Sequence, residues 1–287
     1  MKVLVTGAQG QLGQELKQLA NLHPEINFNF YTKSDWDITD SKKSHSILCN
    51  SKADFIINTA AYTKVDQAEI NPEICNKINF EAPNVLAAQC NELNVKFIQI
   101  SSDYVFSNTK HIPLAETFPK NPKGIYAISK SMAEDSIMNT SPHNIIIRTS
   151  WLYSSFGHNF VKTMILLAKS GKEIHVVNDQ IGSPTYAADL ARLIVDCILS
   201  PVNKFEGIYH YSNEGMCSWF DFAAEIFNYL KIEASLKPIS TQDFGALAPR
   251  PAFSQLDCSK IKNEMHCEIP NWKTSLHKCL DNLKKTF

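Results

Sequence analysis

Lys2-Val3-Leu4-Val5-Thr6-Gly7-Ala8-Gln9-Gly10-Gln11-Leu12-Gly13 decides the fold, together with the Gln14-Glu15-Leu16-Lys17-Gln18-Leu19-Ala20 that follows. A β-branched apolar run, a glycine-rich turn and a helical pattern succeed one another without a break. That context separates a dinucleotide fingerprint from a chance spacing of glycines. Gly7 permits the tight turn, Gly10 lets the backbone approach a pyrophosphate, and Gly13 lets the helix sit against the strand. The helix opens at Gln11 and Leu12, whose backbone N–H groups suit an anion. The plainer alternative is a glycine turn in some other βαβ unit.

The rest of the chain repeats the alternation. Strand-like runs fall at Val3–Thr6, Asn27–Thr32, Phe55–Asn58, Phe97–Ser101 and Asn144–Arg148, with helical patterns at Gln11–Leu22, Ser41–Asn50, Pro72–Leu93 and Tyr126–Asn139 between them. Such alternation predicts an α/β, Rossmann-type doubly wound parallel sheet, with ligands at the carboxyl ends of its strands. After Trp151 the pattern becomes irregular: helix over His158–Ser170, strand over Glu173–Asn178, helix over Tyr186–Leu199 and a last main-sheet strand over Gly207–Ser212. Ser218 and Asp221 open a further helix to about Leu230.

At 287 residues the chain has room for one large α/β domain and a smaller one. Its net charge of −1 gives no reason to expect nucleic acid or a membrane surface as partner. No apolar run reaches the roughly 18–20 residues of a membrane span. Met1 leads directly into the fingerprint, which leaves no place for a signal peptide and predicts a cytoplasmic protein. The eight cysteines show no C-x-x-C pair and no Cys/His metal spacing, so no metal ligands are assigned, and Cys75, Cys90 and Cys197 read as small core residues.

Tyr126 and Lys130, in Tyr126-Ala127-Ile128-Ser129-Lys130, supply the chemistry. On a helix this spacing puts both side chains on one face, about 5–6 Å apart. A phenol titrates near pH ~10, and an ammonium one turn away favours the phenolate, so Lys130 is expected to lower the Tyr126 pKa. The pair suits proton transfer to a carbonyl or alcohol oxygen. Alone, the same spacing also describes a solvated helix face. No acidic residue closes the second strand. Lys33 and Ser34 stand where a carboxylate would hold the ribose 2′-hydroxyl of NAD, which favours NADPH over NADH.

The spacing G-x-x-G-x-x-G, joined to Ser102 and Tyr126-x-x-x-Lys130, resembles the extended short-chain dehydrogenase/reductase family. Asn58–Asp66, Ser102-Asp103-Tyr104-Val105-Phe106, Arg148–Tyr153, Asn178–Thr185 and Arg250-Pro251 fit its branch that reduces dTDP-4-dehydrorhamnose, over residues 1 to about 280. The resemblance implies an NAD(P)-binding domain over 1–150 plus 186–212 and a substrate domain over 151–185 and 213–287. It implies reduction of the 4-keto group of a dTDP-6-deoxyhexose, with hydride from the nicotinamide and a proton from Tyr126. Ser102 would polarise the carbonyl, and Lys130 would hold the nicotinamide ribose. Asp37, Ile38, Ala61, Tyr62, Thr63 and Ile100 would line the cofactor. Asp37 also suits a helix cap, and Tyr62 also suits the core.

By the same resemblance Asp103, Tyr104 and Trp151 meet the deoxysugar; a packing role is the alternative for Trp151. Arg250 serves either as a pyrophosphate clamp or as an ion-pair partner. Departures from the family are Ser102, where threonine is commoner, and Ala127, where glycine is commoner. Some members form homodimers bridged by magnesium. Glu15 matches one ligand, but Ala188 stands where another carboxylate belongs, with Asp189 adjacent, which puts the metal in doubt. Rival readings are another 4-ketoreductase or epimerase of the same fold, and a non-catalytic regulatory subunit resembling the methionine adenosyltransferase β subunit. Tyr104 after Asp103, where a dehydratase has glutamate, disfavours elimination.

Overall fold

A computed structural model describes residues 1–107, 111–200 and 205–284. Six strands form one parallel sheet: β1 (Lys2–Thr6), β2 (Asn27–Tyr31), β3 (Phe55–Asn58), β4 (Lys96–Ser102), β5 (Ile145–Thr149) and β6 (Gly207–His210). Their spatial order is β6-β5-β4-β3-β1-β2, so the winding reverses between β1 and β3. A crevice opens at such a reversal, above the strands' carboxyl ends.

The period-2 alternation of the strands divides their side chains between two cores. Val3, Val5, Ile57, Ile98, Ile145 and Ile147 pack with Leu12 and Leu16 of α1 (Gln11–Ala20) and with Leu190 and Ile194 of the helix Ala187–Leu199. Leu4, Ile56, Phe97 and Ile146 face the other way. They meet Leu48 of α2 (Ser41–Ser51), Leu86 of α3 (Ala82–Glu92), and Ala133 and Ile137 of α4 (Ile125–Thr140). Burying each such side chain contributes about 1.5–3 kcal/mol, more than the ~1 kcal/mol net of a ladder hydrogen bond. Apolar burial on both faces therefore fixes the sheet.

A third core gathers Tyr153, Val161, Ile174, Val176 and Tyr186 with Phe222, Ile226, Trp272, Leu276 and Leu280. Two of its strands, Ile174–Val177 and Leu236–Ile239, pair in parallel. Ser218 caps the helix Trp219–Leu230 in a reciprocal capping box with Asp221, as their spacing predicts. Among the described residues no helix is long and apolar enough to cross a membrane.

The pattern expected as one helix over 72–93 is broken. Pro72–Asn76 leads into a π-helical turn, Lys77–Glu81, before α3 begins. Pro83 explains the widening: it lacks an N–H, and its ring would strike the carbonyl four residues back in a regular helix. The helix Val65–Ile70 was not expected from its pattern.

Candidate active site

Gly7 has φ +68°, and a Cβ there would come within 2.7 Å of Ala60 N and Thr59 Oγ1. Thr59 Oγ1 donates to the Thr6 carbonyl at 2.6 Å and ties the end of β3 to β1. A Cβ on Gly13 would lie 2.4 Å from Gly7 O, so the third glycine seats α1 on the loop rather than on the strand. A Cβ on Gly10 would meet only Gly7 O, at 3.1 Å, among the described residues. No side chain caps α1, whose first N–H groups open beside this loop. A bare-backbone cradle at the reversal of winding fits a dinucleotide pyrophosphate. Leu12 is buried in the core, so only its backbone can serve there. Gln11 spends its side chain elsewhere, donating to Leu152 O at 3.3 Å and accepting from Asn159 Nδ2 at 3.0 Å.

Asp37 accepts from Thr39 N at 3.0 Å and Thr39 Oγ1 at 2.9 Å. The cap of α2 is Asp40, which accepts from Lys43 N. Ile38 is buried against Trp36 and Leu48. Lys33 is exposed, 3.9 Å from Asp37. Ala61, Tyr62 and Thr63 lie in the connection beyond β3, with Tyr62 half-buried outside the three cores. Asn79, on the π turn, grips that connection: it accepts from Tyr62 N at 2.8 Å and donates to Tyr62 O at 3.0 Å.

Ser102 ends β4, and its hydroxyl stands within hydrogen-bonding reach of the Tyr126 phenol. α4 starts where it does because Gly124 turns at φ +84° and the Glu69 carboxylate accepts from Ile125 N at 2.7 Å. Lys130, one turn after Tyr126, is buried and donates from Nζ to the Ile100 carbonyl at 3.2 Å. The Tyr126 pKa moves up, against the lowering expected from Lys130. Burial pushes the Tyr126 pKa up, Ser102 opposes the rise, and Asp103 adds to it. Burial pushes the Lys130 amine down to about 8, against the pull of Glu134. The ammonium donates one N–H to the β4 backbone, which fixes it beside that strand end.

Asp103 is buried, its Oδ1 accepting from Ser102 Oγ at 2.9 Å. Among the described residues its Oδ2 makes no well-formed hydrogen bond. Burial pushes this carboxyl up to about 6, opposed by the hydroxyls of Ser102 and Ser254. Tyr104 sets its ring edge-on to Tyr126, centroids 5.4 Å apart. Trp151 has φ +47° and stacks on Trp219, and its ring also lies within 2.9 Å of where a Gly182 Cβ would stand. Arg250 pairs bidentately with Asp66, at 2.7 and 3.1 Å, which is the ion-pair alternative for that residue.

The magnesium expectation is not supported. Glu15 is buried, accepts from Ser154 Oγ at 2.6 Å, and has its pKa raised by burial. Asp189 accepts from Asn213 Nδ2 and Ser275 Oγ within the chain. Among the described residues no cluster of three His, Cys, Asp or Glu side chains could hold a metal.

Sequence reasoning missed Glu69, Asn79, Glu134, Trp219 and Ser254. Glu134 alone carried a local signal, being four residues beyond Lys130 as Lys130 is beyond Tyr126. The others reach the site from distant elements.

A glycine cradle at the winding reversal, with Ser102, Tyr126 and Lys130 on adjoining elements, defines an extended short-chain dehydrogenase/reductase. The chain belongs to the family described as RmlD substrate binding domain, whose model matches residues 1–285. It is similar to a dTDP-4-dehydrorhamnose reductase of Aggregatibacter actinomycetemcomitans, 37% identical over 285 residues, covering 96% of this chain and 97% of the relative. The spore coat polysaccharide biosynthesis protein SpsK of Bacillus subtilis is 38% identical over 280 residues, covering 97% of this chain and 96% of that one. A crystal structure of dTDP-4-dehydrorhamnose reductase from Bacillus anthracis in complex with NADP superposes with a TM-score of 0.93 at 38% identity, covering 98% and 99% of the two chains.

Proposed function

We propose that this protein is an NADPH-dependent oxidoreductase that reduces the 4-keto group of dTDP-4-dehydro-L-rhamnose to give dTDP-L-rhamnose. The observation that carries the reading is the convergence of Ser102 and Tyr126 at the end of β4, with Lys130 held on the carbonyl of Ile100. Membership of the family and the NADP-bound relative support the choice of substrate and cofactor. We assign cofactor binding to residues 1–150 with 186–212, and sugar binding to 151–185 with 213–287.

When bound, NADPH supplies the hydride. Gly7, Gly10 and the first N–H groups of α1 would hold its pyrophosphate, and exposed Lys33 would meet a 2′-phosphate. Tyr126 holds the proton destined for O4. Its burial keeps the phenol protonated until charge develops on the sugar oxygen, a far stronger base than a phenolate. Ser102 has one proton to give and two acceptors competing for it, Asp103 now and the ketone when substrate is present. Lys130 brings a positive charge to the same strand end, with one N–H spent on Ile100.

The experiment is direct. Adding dTDP-4-dehydrorhamnose should consume NADPH stoichiometrically, and Tyr126→Phe should lower turnover by about 10²–10⁴-fold. An epimerase would recycle its cofactor and leave the absorbance unchanged. Near-wild-type turnover in Tyr126→Phe would remove that residue from the chemistry.

A further inference from the structure

Glu134 stands on the same stripe of α4 as Tyr126 and Lys130, one turn further on, and is 1% exposed. Its carboxylate is fully engaged. Oε1 accepts from Ser101 Oγ at 2.6 Å and from Arg148 Nε at 2.9 Å, and Oε2 accepts from Arg148 NH2 at 2.7 Å. Ser101 immediately precedes Ser102 on β4, and Arg148 lies beside it on β5. One side chain of the catalytic helix therefore grips two adjacent strands at their carboxyl ends. Arg148 is itself wedged in place, donating to Glu116 O at 3.2 Å and lying 4.9 Å over the Phe106 ring.

A buried ion pair is weak evidence for stability, because desolvation of both partners offsets their attraction. What such a pair supplies here is register. β-Strand residues alternate faces, so holding Ser101 on Glu134 also fixes the way Ser102 faces at the end of the strand. The charge also matters. Glu134 is the carboxylate that acts on Lys130, in the direction that keeps the amine protonated against its burial.

We propose that Glu134 is a positioning residue for the reduction: clamped by Arg148 and Ser101, it sets the register of α4 on β4 and β5 and holds a carboxylate one turn from the Lys130 amine. The inference rests on the oxidoreductase reading of the same site. The other charged groups around Glu134 are Lys120, 3.6 Å away and shared with Asp135, and His210 and Glu116 behind Arg148. Cys75 acts on Lys130 from the opposite element. His210 is held neutral, its pKa pushed down to about 3 by burial and by Arg148, so it adds no titration near neutrality.

The test follows Lys130 itself. Lysine labelled with ¹³C at Cε, with Lys130 assigned through a Lys130→Met variant, reports its titration midpoint in the free protein by NMR. Kinetics of NADPH oxidation then give the alkaline limb of kcat/KM. Glu134→Gln should lower the midpoint by about one pH unit and carry the limb with it, while kcat falls about tenfold or more. Glu134→Asp, which keeps the charge, should hold the midpoint at the wild-type value and recover part of kcat. An unchanged midpoint in Glu134→Gln overturns the proposal. Should that variant not fold, a shift of a full unit in Glu134→Asp overturns it instead. Wild-type protein that shows the midpoint yet consumes no NADPH defeats the assigned activity and leaves the Glu134–Lys130 coupling standing.

Discussion

The indole of Trp151 lies flat on that of Trp219, with ring centroids 3.6 Å apart and planes 8° from parallel. Trp151 holds this pose from a left-handed backbone, φ +47°, which costs a bulky residue of order 1–3 kcal/mol. Gly182, lacking a Cβ, leaves room for the ring. One face of the Trp151 ring is thus already covered, and its orientation is set from the third core.

Removing the partner should show this. Trp219→Ala is expected to raise KM for the nucleotide sugar about fivefold, through the ~1 kcal/mol of stacking that fixes Trp151. The dissociation constant of NADPH should not move. Circular dichroism checks the geometry independently, since the exciton couplet of two stacked indoles should vanish in Trp219→Ala and in Trp151→Phe alike. A couplet that survives in either variant rules the stack out.

The three glycines of the loop are not equivalent, and two substitutions separate them. Gly7→Ala forces a Cβ into the backbone of Ala60 at a positive φ, so it should cost about 2 kcal/mol or more of stability and abolish NADPH binding. Among the described residues the Cβ of Gly10→Ala meets only Gly7 O, at 3.1 Å, so its melting temperature should stay within a few degrees of wild type while NADPH affinity falls about tenfold or more. Thermal melts alongside fluorescence titration with NADPH decide the matter. Equal stability losses in the two variants would contradict the geometry.

Asp103 is where function and stability pull apart. Its carboxyl is raised to about 6 by burial, against an unfolded value near 3.9. Between those values the native chain binds more protons than the unfolded one, so this group lowers stability as pH rises through the window from about 4 to 6, and the full cost is present at pH 7. Two pKa units correspond to about 3 kcal/mol, an upper figure for a site that can relax. Asp103→Asn should therefore be at least as stable as wild type at pH 7, with the advantage gone at pH 4, while turnover drops. Denaturant melts at the two pH values measure it. A variant less stable than wild type at pH 7 would show that the carboxylate is better solvated than its burial implies.

How much of this could be read from the chain depends on the reach of each interaction. β1, the glycine turn and α1 are contiguous, and so are Tyr126 and Lys130, hence local spacing sufficed for both. Pro83 could have warned of the π turn, but the periodicity of 72–93 is apolar enough to hide a single extra residue. Glu69 on Ile125, Asn79 on Tyr62 and Ser254 beside Asp103 come from 56, 17 and 151 residues away respectively, and nothing in the spacing of one segment marks its partner in another. The Lys130 amine shows the same limit for electrostatics. Its position one turn from the phenol was legible, whereas the carbonyl of Ile100 that claims it was not.

Gln11 has a consequence for the glycine loop. Its side chain joins the first turn of α1 to Leu152 O and Asn159, and each bond contributes about 1 kcal/mol. The helix that opens beside the glycine loop is therefore anchored to the segment after β5, where Ser154 also donates to Glu15 at 2.6 Å.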